Sequence, residues 1–349
     1  MAIDMFNTRT LLAALTYMKE PITFLLDMFF KETEPLETET IDIDIIREGD
    51  GMAAFCSSLV EAGVVAPEAF QTNTVTPGYT KENFLIKPRD LLVRDPGQVL
   101  YAPGKSSGQR VEEKVAKALL MLMRRCIRRE EWMAAQALTL GAYDMIGKGF
   151  KTHVDFGMKS THKITLAAAD LFTATTTSDI VGFMKHCIRD LIIEDSGQSS
   201  NHVMIMGSAA AESFMVHPQI TSILDKLHIN MGEIKPSEFK NGAYRLGTWL
   251  DPMCELWVYQ GKYKDPTSGT RYNLLPSHKV LFGSKNARCE RHFAAIQDLD
   301  VGMTAAVKYF PKSWRENDPS GQVVQLQSAP LPAPHEIDAF VVADVQAEE

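Results

Sequence analysis

The sequence predicts a mixed α+β chain, and three observations carry that expectation. Between residues 109 and 143 there is no proline and no glycine before Gly141, and Val111, Val115, Ala118, Leu119, Leu122, Cys126 and Ile127 recur at helical spacing. In "TIDIDII", Ile41, Ile43 and Ile45 alternate with Asp42 and Asp44, the period of a half-buried strand. The chain then returns to strand-like runs at 323–326 and 337–342, with proline-rich spacing between them. Pairing of these late runs with strands from early in the chain leaves the middle as an inserted region.

Composition supports a folded chain. Its 349 residues are 45% hydrophobic and 23% charged, ordinary globular usage with enough length for a sizeable core. The formal net charge of -8 argues against a protein whose main task is to neutralise phosphates, because that needs clustered Lys and Arg. The five cysteines, Cys56, Cys126, Cys187, Cys254 and Cys289, contain no C-x-x-C, which fits neither a disulfide framework nor a zinc ribbon. Residues 11–30 are apolar but interrupted by Lys19, Glu20, Pro21 and Asp27, so no export signal and no membrane span are expected.

In chain order, Thr8 or Thr10 is placed to cap a short helix carrying Leu11, Leu12, Leu15 and Met18. Pro21 ends it or opens another with Phe24, Leu25, Met28 and Phe29. The "TIDIDII" aspartates raise a cation site, but the D-x-[DN]-x-[DN]-G loop is missing and alternation explains both residues. In "TNTVTPGYTKENFLIKP", residues 72–88, Pro77-Gly78 signals a turn. Phe84 and Ile86 beyond it alternate with polar neighbours until Pro88. The stretch reads as an arm of a long exposed hairpin or loop, and such loops usually bind something.

The helix predicted over 109–143 would be roughly 50 Å long, about the diameter of a compact chain of this length. Arg124, Arg125, Arg128 and Arg129 lie on it, followed by Glu130 and Glu131. Arg124 with Arg128 and Arg125 with Arg129 are like-charged i,i+4 neighbours, unfavourable unless acids lie opposite. They read as a solvated face with partial pairing or as a partner-facing set, for which carboxylates of a neighbouring subunit are the favoured match.

Further on, "GKGFKTHVDFG" predicts a hairpin with glycine breaks, and Gly147-Lys148-Gly149 is no P-loop. Residues 180–191 read as a helix, and "HVMIMGSAAAESF" as strand, turn and helix. There Ser208 superficially suggests a nucleophile elbow, but G-x-S-x-G is not met and an N-cap role is simpler. The nine histidines form no metal motif in sequence: His186 beside Cys187, and Cys289 near His292, lack a further ligand at usable spacing. No catalytic, cofactor or metal site is expected.

Taken in order, "TLLAAL", "FLLDMFFKE", "TPGYTKENFLIKP", the arginine-bearing long helix, "VLFG", "IQD", "YFPKSW" and "QSAPL" closely resemble the lambda-type bacteriophage major capsid protein family over nearly the whole chain. The resemblance implies a Hong Kong 97-type fold. Its parts would be an N-terminal arm and short helices at 1–40, a first peripheral strand at 41–50 and an extended loop at 51–92. A peripheral domain with its spine helix would follow at 93–175, an axial domain at 176–304, and peripheral return strands with the tail at 305–349. It further implies self-assembly through hexamers and pentamers into an icosahedral shell around double-stranded DNA, in a virion assembled in the host cytoplasm. The expected partners are a portal protein, a decoration protein and, because the arm-like pattern starts within ten residues of Met1, a separate scaffolding protein. Lys81 and Lys87 are expected to form no cross-links. The intersubunit candidates are Phe24, Leu25, Phe29, Phe30, Phe84 and Ile86 with the four arginines. Two other readings stay open: an encapsulin-like compartment of the same fold, and a soluble enzyme using Ser208 or a His/Cys site.

Overall fold

The computed structural model describes residues 11, 23–46, 70–89, 107–197, 200–226, 239–240, 242–298, 306–318 and 320–347. Of the first predicted helix only Leu11 is among them, and it is buried; Leu12, Leu15 and Met18 lie outside the described residues. A one-turn helix α1 (Leu25–Met28) leads into strands β1 (Glu32–Pro35) and β2 (Ile41–Ile46). β2 pairs antiparallel with β3 (Phe70–Val75), opposing Ile41 to Val75 and Ile43 to Asn73. Ile41 and Ile43 are buried and Asp42 is exposed, as alternation requires. The Thr74 hydroxyl donates to Asp42 Oδ1 at 2.6 Å.

β4 (Thr80–Ile86) departs from the expectation. The run containing Phe84 and Ile86 is not an arm of an exposed loop. It joins a three-stranded sheet, antiparallel to a strand near the other end of the chain, with Ile86 opposite Gln322 and Thr80 opposite Ser328. Among the described residues of this region, β2 and β3 form the antiparallel pair.

α2 (Ser107–Leu140) is the long helix that the periodicity predicts, 34 residues and so about 51 Å. It stops at Gly141, whose φ of +67° is the left-handed conformation that ends helices. A Cβ there would sit 2.4 Å from that of Met158, so space as well as conformation selects glycine. The predicted hairpin follows as β5 (Ala142–Gly147) and β6 (Phe150–Asp155).

The middle of the chain supplies β7 (Lys163–Thr165) and α3 (Ile180–Lys185), which runs on through π-helical turns at His186–Ile193. Then come β8 (His202–Met206), α4 (Ser208–Val216), α5 (Pro218–Lys226), β9 (Phe239–Lys240), β10 (Ala243–Leu250), β11 (Met253–Tyr259), the short pair β12 (Lys262–Lys264) and β13 (Arg271–Asn273), and β14 (Lys279–Ser284). The chain closes with β15 (Cys289–Phe293), β16 (Phe310–Glu316), β17 (Gly321–Ser328), β18 (Pro330–Pro334) and β19 (Phe340–Asp344).

Besides the two-stranded pairs β2-β3, β5-β6 and β12-β13, three larger sheets organise the described strands. A seven-stranded mixed sheet runs β7-β19-β14-β8-β11-β10-β9, a three-stranded sheet β16-β17-β4, and another β1-β15-β18. β8 is buried along its whole length, and the four residues after His202 are accordingly all apolar. β18, with three prolines, lies at a sheet edge, where a missing N–H costs no ladder bond. The late strands pair with early ones, β17 with β4 and β19 with β7. Of the strands in 305–349, expected as peripheral return strands, β16 and β17 pair with each other, whereas β19 inserts beside β14 in the large sheet of the middle region and β18 pairs with β15.

α2 serves two cores. Its first half places Val115, Leu119, Leu122, Cys126 and Ile127 against Leu11, Ile86, Tyr309, Val324 and Leu326. Its second half buries Met133, Ala134, Ala135, Ala137 and Leu138 with α1, β5, β6 and β18. A separate cluster under α3 and α4 fills the other face of the large sheet with Met184, Ile188, Met204, Phe214 and Phe282.

Candidate assembly surfaces

The residues expected to meet a neighbour divide by burial. Phe24, Leu25, Phe29 and Phe30 are all 3% exposed or less. Phe24 packs against Tyr259 and Trp257 with ring centroids 4.8 and 5.3 Å away, and Phe29 meets Phe340 edge-on at 5.1 Å. These aromatics are therefore part of the subunit's own core, which corrects the expectation that they are held for a neighbour. An amphipathic segment must bury its apolar face, and this one finds the face of α2 and the large sheet within its own chain. Ile86 is likewise buried, and Phe84 packs partly buried against the same cluster, so β4 secures the three-stranded sheet to α2.

The docking of α1 depends on Glu131 of α2. Its carboxylate accepts the amides of Phe24 at 3.1 Å and Leu25 at 2.8 Å on Oε1, and of Leu26 at 3.1 Å on Oε2. The Tyr259 hydroxyl donates to Oε1 at 2.9 Å. The orphan amides that open a helix are thus satisfied by an acid over 100 residues distant in sequence. Burial pushes the Glu131 carboxyl up, against the pull of these donors. Neighbouring Glu130 is also buried and accepts from the Tyr309 hydroxyl at 2.7 Å. The sequence shows both acids only as following the arginines, because a buried carboxylate leaves no trace in hydrophobic periodicity.

The arginines have three different settings. Arg125 grips Glu82 of β4 through Nε and Nη2, both at 3.0 Å, so its carboxylate comes from its own chain and not from a neighbour. Arg129 lies over the Trp132 ring, 5.1 Å from its centroid. Arg124 and Arg128 are exposed, with no ion-pair partner among the described residues, and share one face of α2 with Met121, itself 43% exposed. Other large apolar side chains at the surface are Val216 at the end of α4, and Leu250 and Met253 where β10 turns into β11.

Ser208 is not the helix cap that the sequence suggests. Gly207 takes the cap position and Ser208 is the first helical residue. A Cβ on Gly207 would meet the Pro276 and Ser277 carbonyl oxygens at 2.3 and 2.5 Å, so the close approach of the loop before β14 requires glycine there.

The chain also contains a Ser–His contact, but with the wrong polarity for catalysis. His217 Nδ1 accepts the Gln219 amide at 3.3 Å, which leaves the ring proton on Nε2, directed at Ser178 Oγ 2.9 Å away. Ser178 in turn donates to the Ala174 carbonyl at 2.8 Å, so the imidazole holds no lone pair for the serine proton. Burial pushes the Cys126 and Cys254 thiols up to about 12, which keeps both protonated and unreactive at neutral pH.

One cluster of metal-ligating groups comes together that sequence spacing did not suggest. Glu290 and His292 of β15 meet His335, just beyond β18, and all three are buried. Sequence reading set His292 aside for want of a further ligand. The missing partner lies 43 residues on, where no local spacing rule points to it.

Among the described residues no helix is long and apolar enough to cross a membrane. The phage major capsid protein E family model matches residues 7–345. The chain is 27% identical to the major capsid protein of Escherichia phage lambda over 360 residues, covering 97% of this chain and 98% of the relative. It is 28% identical to the major capsid protein of Enterobacteria phage phi80 over 342 residues, 90% of this chain and 92% of that one. The crystal structure of a prophage capsid protein of E. coli CFT073 superposes with a TM-score of 0.71 at 22% identity, over 97% of this chain and 99% of the other, and shows the shared Hong Kong 97-type fold. With a long helix between a three-stranded and a seven-stranded sheet and a family match over nearly its whole length, the chain belongs to the phage major capsid protein E family.

Proposed function

We propose that this major capsid protein repeats as hexamers and pentamers in the icosahedral head of a tailed phage, enclosing double-stranded DNA. The observation that carries this reading is the family match over residues 7–345. Closed shells of one chain form when the same surfaces recur around symmetry axes, each contact being modest because many act together. The family role is structural, and the reversed polarity of the Ser178–His217 contact and the protonated thiols agree with it. In this arrangement α2 with the β16-β17-β4 sheet forms the peripheral domain, and the seven-stranded sheet with α3 and α4 forms the axial domain.

The contact surfaces follow from exposure. Arg124 and Arg128, on the open face of α2, meet carboxylates of the adjacent subunit, which a chain of net charge -8 has in excess. The other partners are a scaffolding protein, a portal protein and a decoration protein, with DNA touched non-specifically. Assembly takes place in the host cytoplasm and the product is the virion capsid.

The test is size-exclusion chromatography and negative-stain electron microscopy of the chain, alone and co-expressed with its neighbouring genes. Shells, tubes or ring-shaped capsomers are the expected outcome. A monomer that never assembles in either setting would sink the proposal. A covalent ladder on a denaturing gel of mature shells would overturn the uncrosslinked design.

A further inference from the structure

We propose that Glu290, His292 and His335 form a binding site for a divalent transition-metal cation of the zinc class. The three ligand atoms are His292 Nε2, His335 Nε2 and Glu290 Oε2. The two nitrogens face each other at 3.1 Å, and each lies 3.8 Å from the carboxylate oxygen. For a triangle of those sides, the product of the sides over four times the area gives a point about 2.1 Å from all three atoms, the ordinary zinc–nitrogen and zinc–oxygen bond length. The three ligand atoms are therefore spaced around a centre of ionic size. Two imidazoles and one carboxylate are a donor set that zinc accepts in sites keeping a further position for water.

The surroundings orient the ligands as metal sites require. His292 Nδ1 lies 3.2 Å from Glu34 Oε2 of β1, near enough for that carboxylate to favour a proton on Nδ1 and so a lone pair on Nε2, toward the centre. Arg288 Nε donates to Glu290 Oε1 at 2.8 Å, occupying one carboxylate oxygen and leaving Oε2 inward. Strand pairing produces this geometry: β1 sets Glu34 beside His292 and Glu32 beside Glu290, and alternation puts Glu290 and His292 on one face of β15. Cys289 falls on the opposite face, in the apolar core, and is not a ligand. His335 is held by its amide, which donates to the Arg288 carbonyl at 2.9 Å. The nearby charges, Glu32, Glu34, Glu290 and Glu336 against Arg288, favour a dication. The half-exposed side chains of Glu34 and Arg288 form the rim through which it enters. A bound ion would tie β1, β15 and the segment after β18 together, so its role is structural.

The experiment loads chelator-treated full-length chain with zinc alone, measures metal per chain after dialysis, and repeats this with cobalt(II) as a spectroscopic probe. The expected result is one ion per chain, a cobalt visible band without thiolate charge transfer, and an upward shift in melting temperature on loading. His292→Gln with His335→Gln should abolish stoichiometric binding. Glu34→Gln, at an exposed position that does not endanger folding, should weaken binding ~10–100-fold. Substoichiometric zinc in the wild-type chain, or binding unchanged in Glu34→Gln and in the double histidine variant, would overturn the proposal.

Discussion

The two halves of the long helix α2 obey different rules. From Val115 to Arg128 it is an ordinary amphipathic helix, with one face on β4 and β17 and the other carrying Met121, Arg124 and Arg128 in solvent. From Glu130 to Thr139 it is buried nearly all round, and its composition changes to suit. Ala134, Ala135 and Ala137 let neighbouring elements approach closely, and the burial of the two acids is offset by the donors they meet, three amides and the Tyr259 hydroxyl at Glu131 and the Tyr309 hydroxyl at Glu130. One continuous helix is thus a solvent-facing rod at one end and a core element at the other. The transition falls within one turn, between Arg128 and Glu131.

The largest expected effect tests the buried half. Glu131→Ala leaves three backbone amides and the Tyr259 hydroxyl without their acceptor. Buried unsatisfied donors cost ~1–3 kcal/mol each, so urea unfolding should show a loss of at least about 3 kcal/mol. A loss below about 1 kcal/mol would mean that α1 is not held by this carboxylate. Next, Ala135→Leu should overpack the same half and cost about 1–3 kcal/mol, whereas Met121→Ala on the open face should stay within about 0.5 kcal/mol. Equal costs at the two positions would erase the contrast between the halves. Arg124→Glu combined with Arg128→Glu should leave the subunit's melting temperature within a degree or two, by the same surface rule, while shell yield falls several-fold in electron micrographs. Normal shells from that variant would remove the arginines from the assembly contact. The smallest effect belongs to Arg125→Ala. Its pair with Glu82 is half-exposed, so the loss should be ~0.2–1 kcal/mol and shrink further in 1 M salt.

What the sequence disclosed follows the same division. The open half of α2 was legible because amphipathic periodicity is a surface phenomenon, and β2 was legible because its isoleucines alternate with aspartates. The second half was legible as helix but its burial was not, since Glu130 and Glu131 carry no periodic signal and their partners, Tyr309 and the amides of α1, lie far away in the chain. β4 looked like a loop arm for a related reason: its alternation is short, and β17, the strand that makes it part of a sheet, lies beyond any local window. The aromatics of α1 were recognised as needing burial, but whether the covering surface is the same chain or another copy is a property of the tertiary fold. His335 escaped because a ligand recruited by strand pairing obeys no spacing rule.

The pairing of β4 with β17 also sets a timetable for synthesis. Thr80 and its partner Ser328 are 248 residues apart, and at a ribosomal rate of ~5–20 residues per second roughly 12–50 s separate their emergence. Throughout that interval Ile86, Leu119, Leu122 and Ile127 have none of the late residues Tyr309, Val324 and Leu326 that bury them in the finished subunit. A nascent chain therefore exposes apolar surface for most of its translation, and an N-terminal fragment cannot complete the sheet. The sheet over the first half of α2 is thus closed only when β17 has been made, near the end of synthesis.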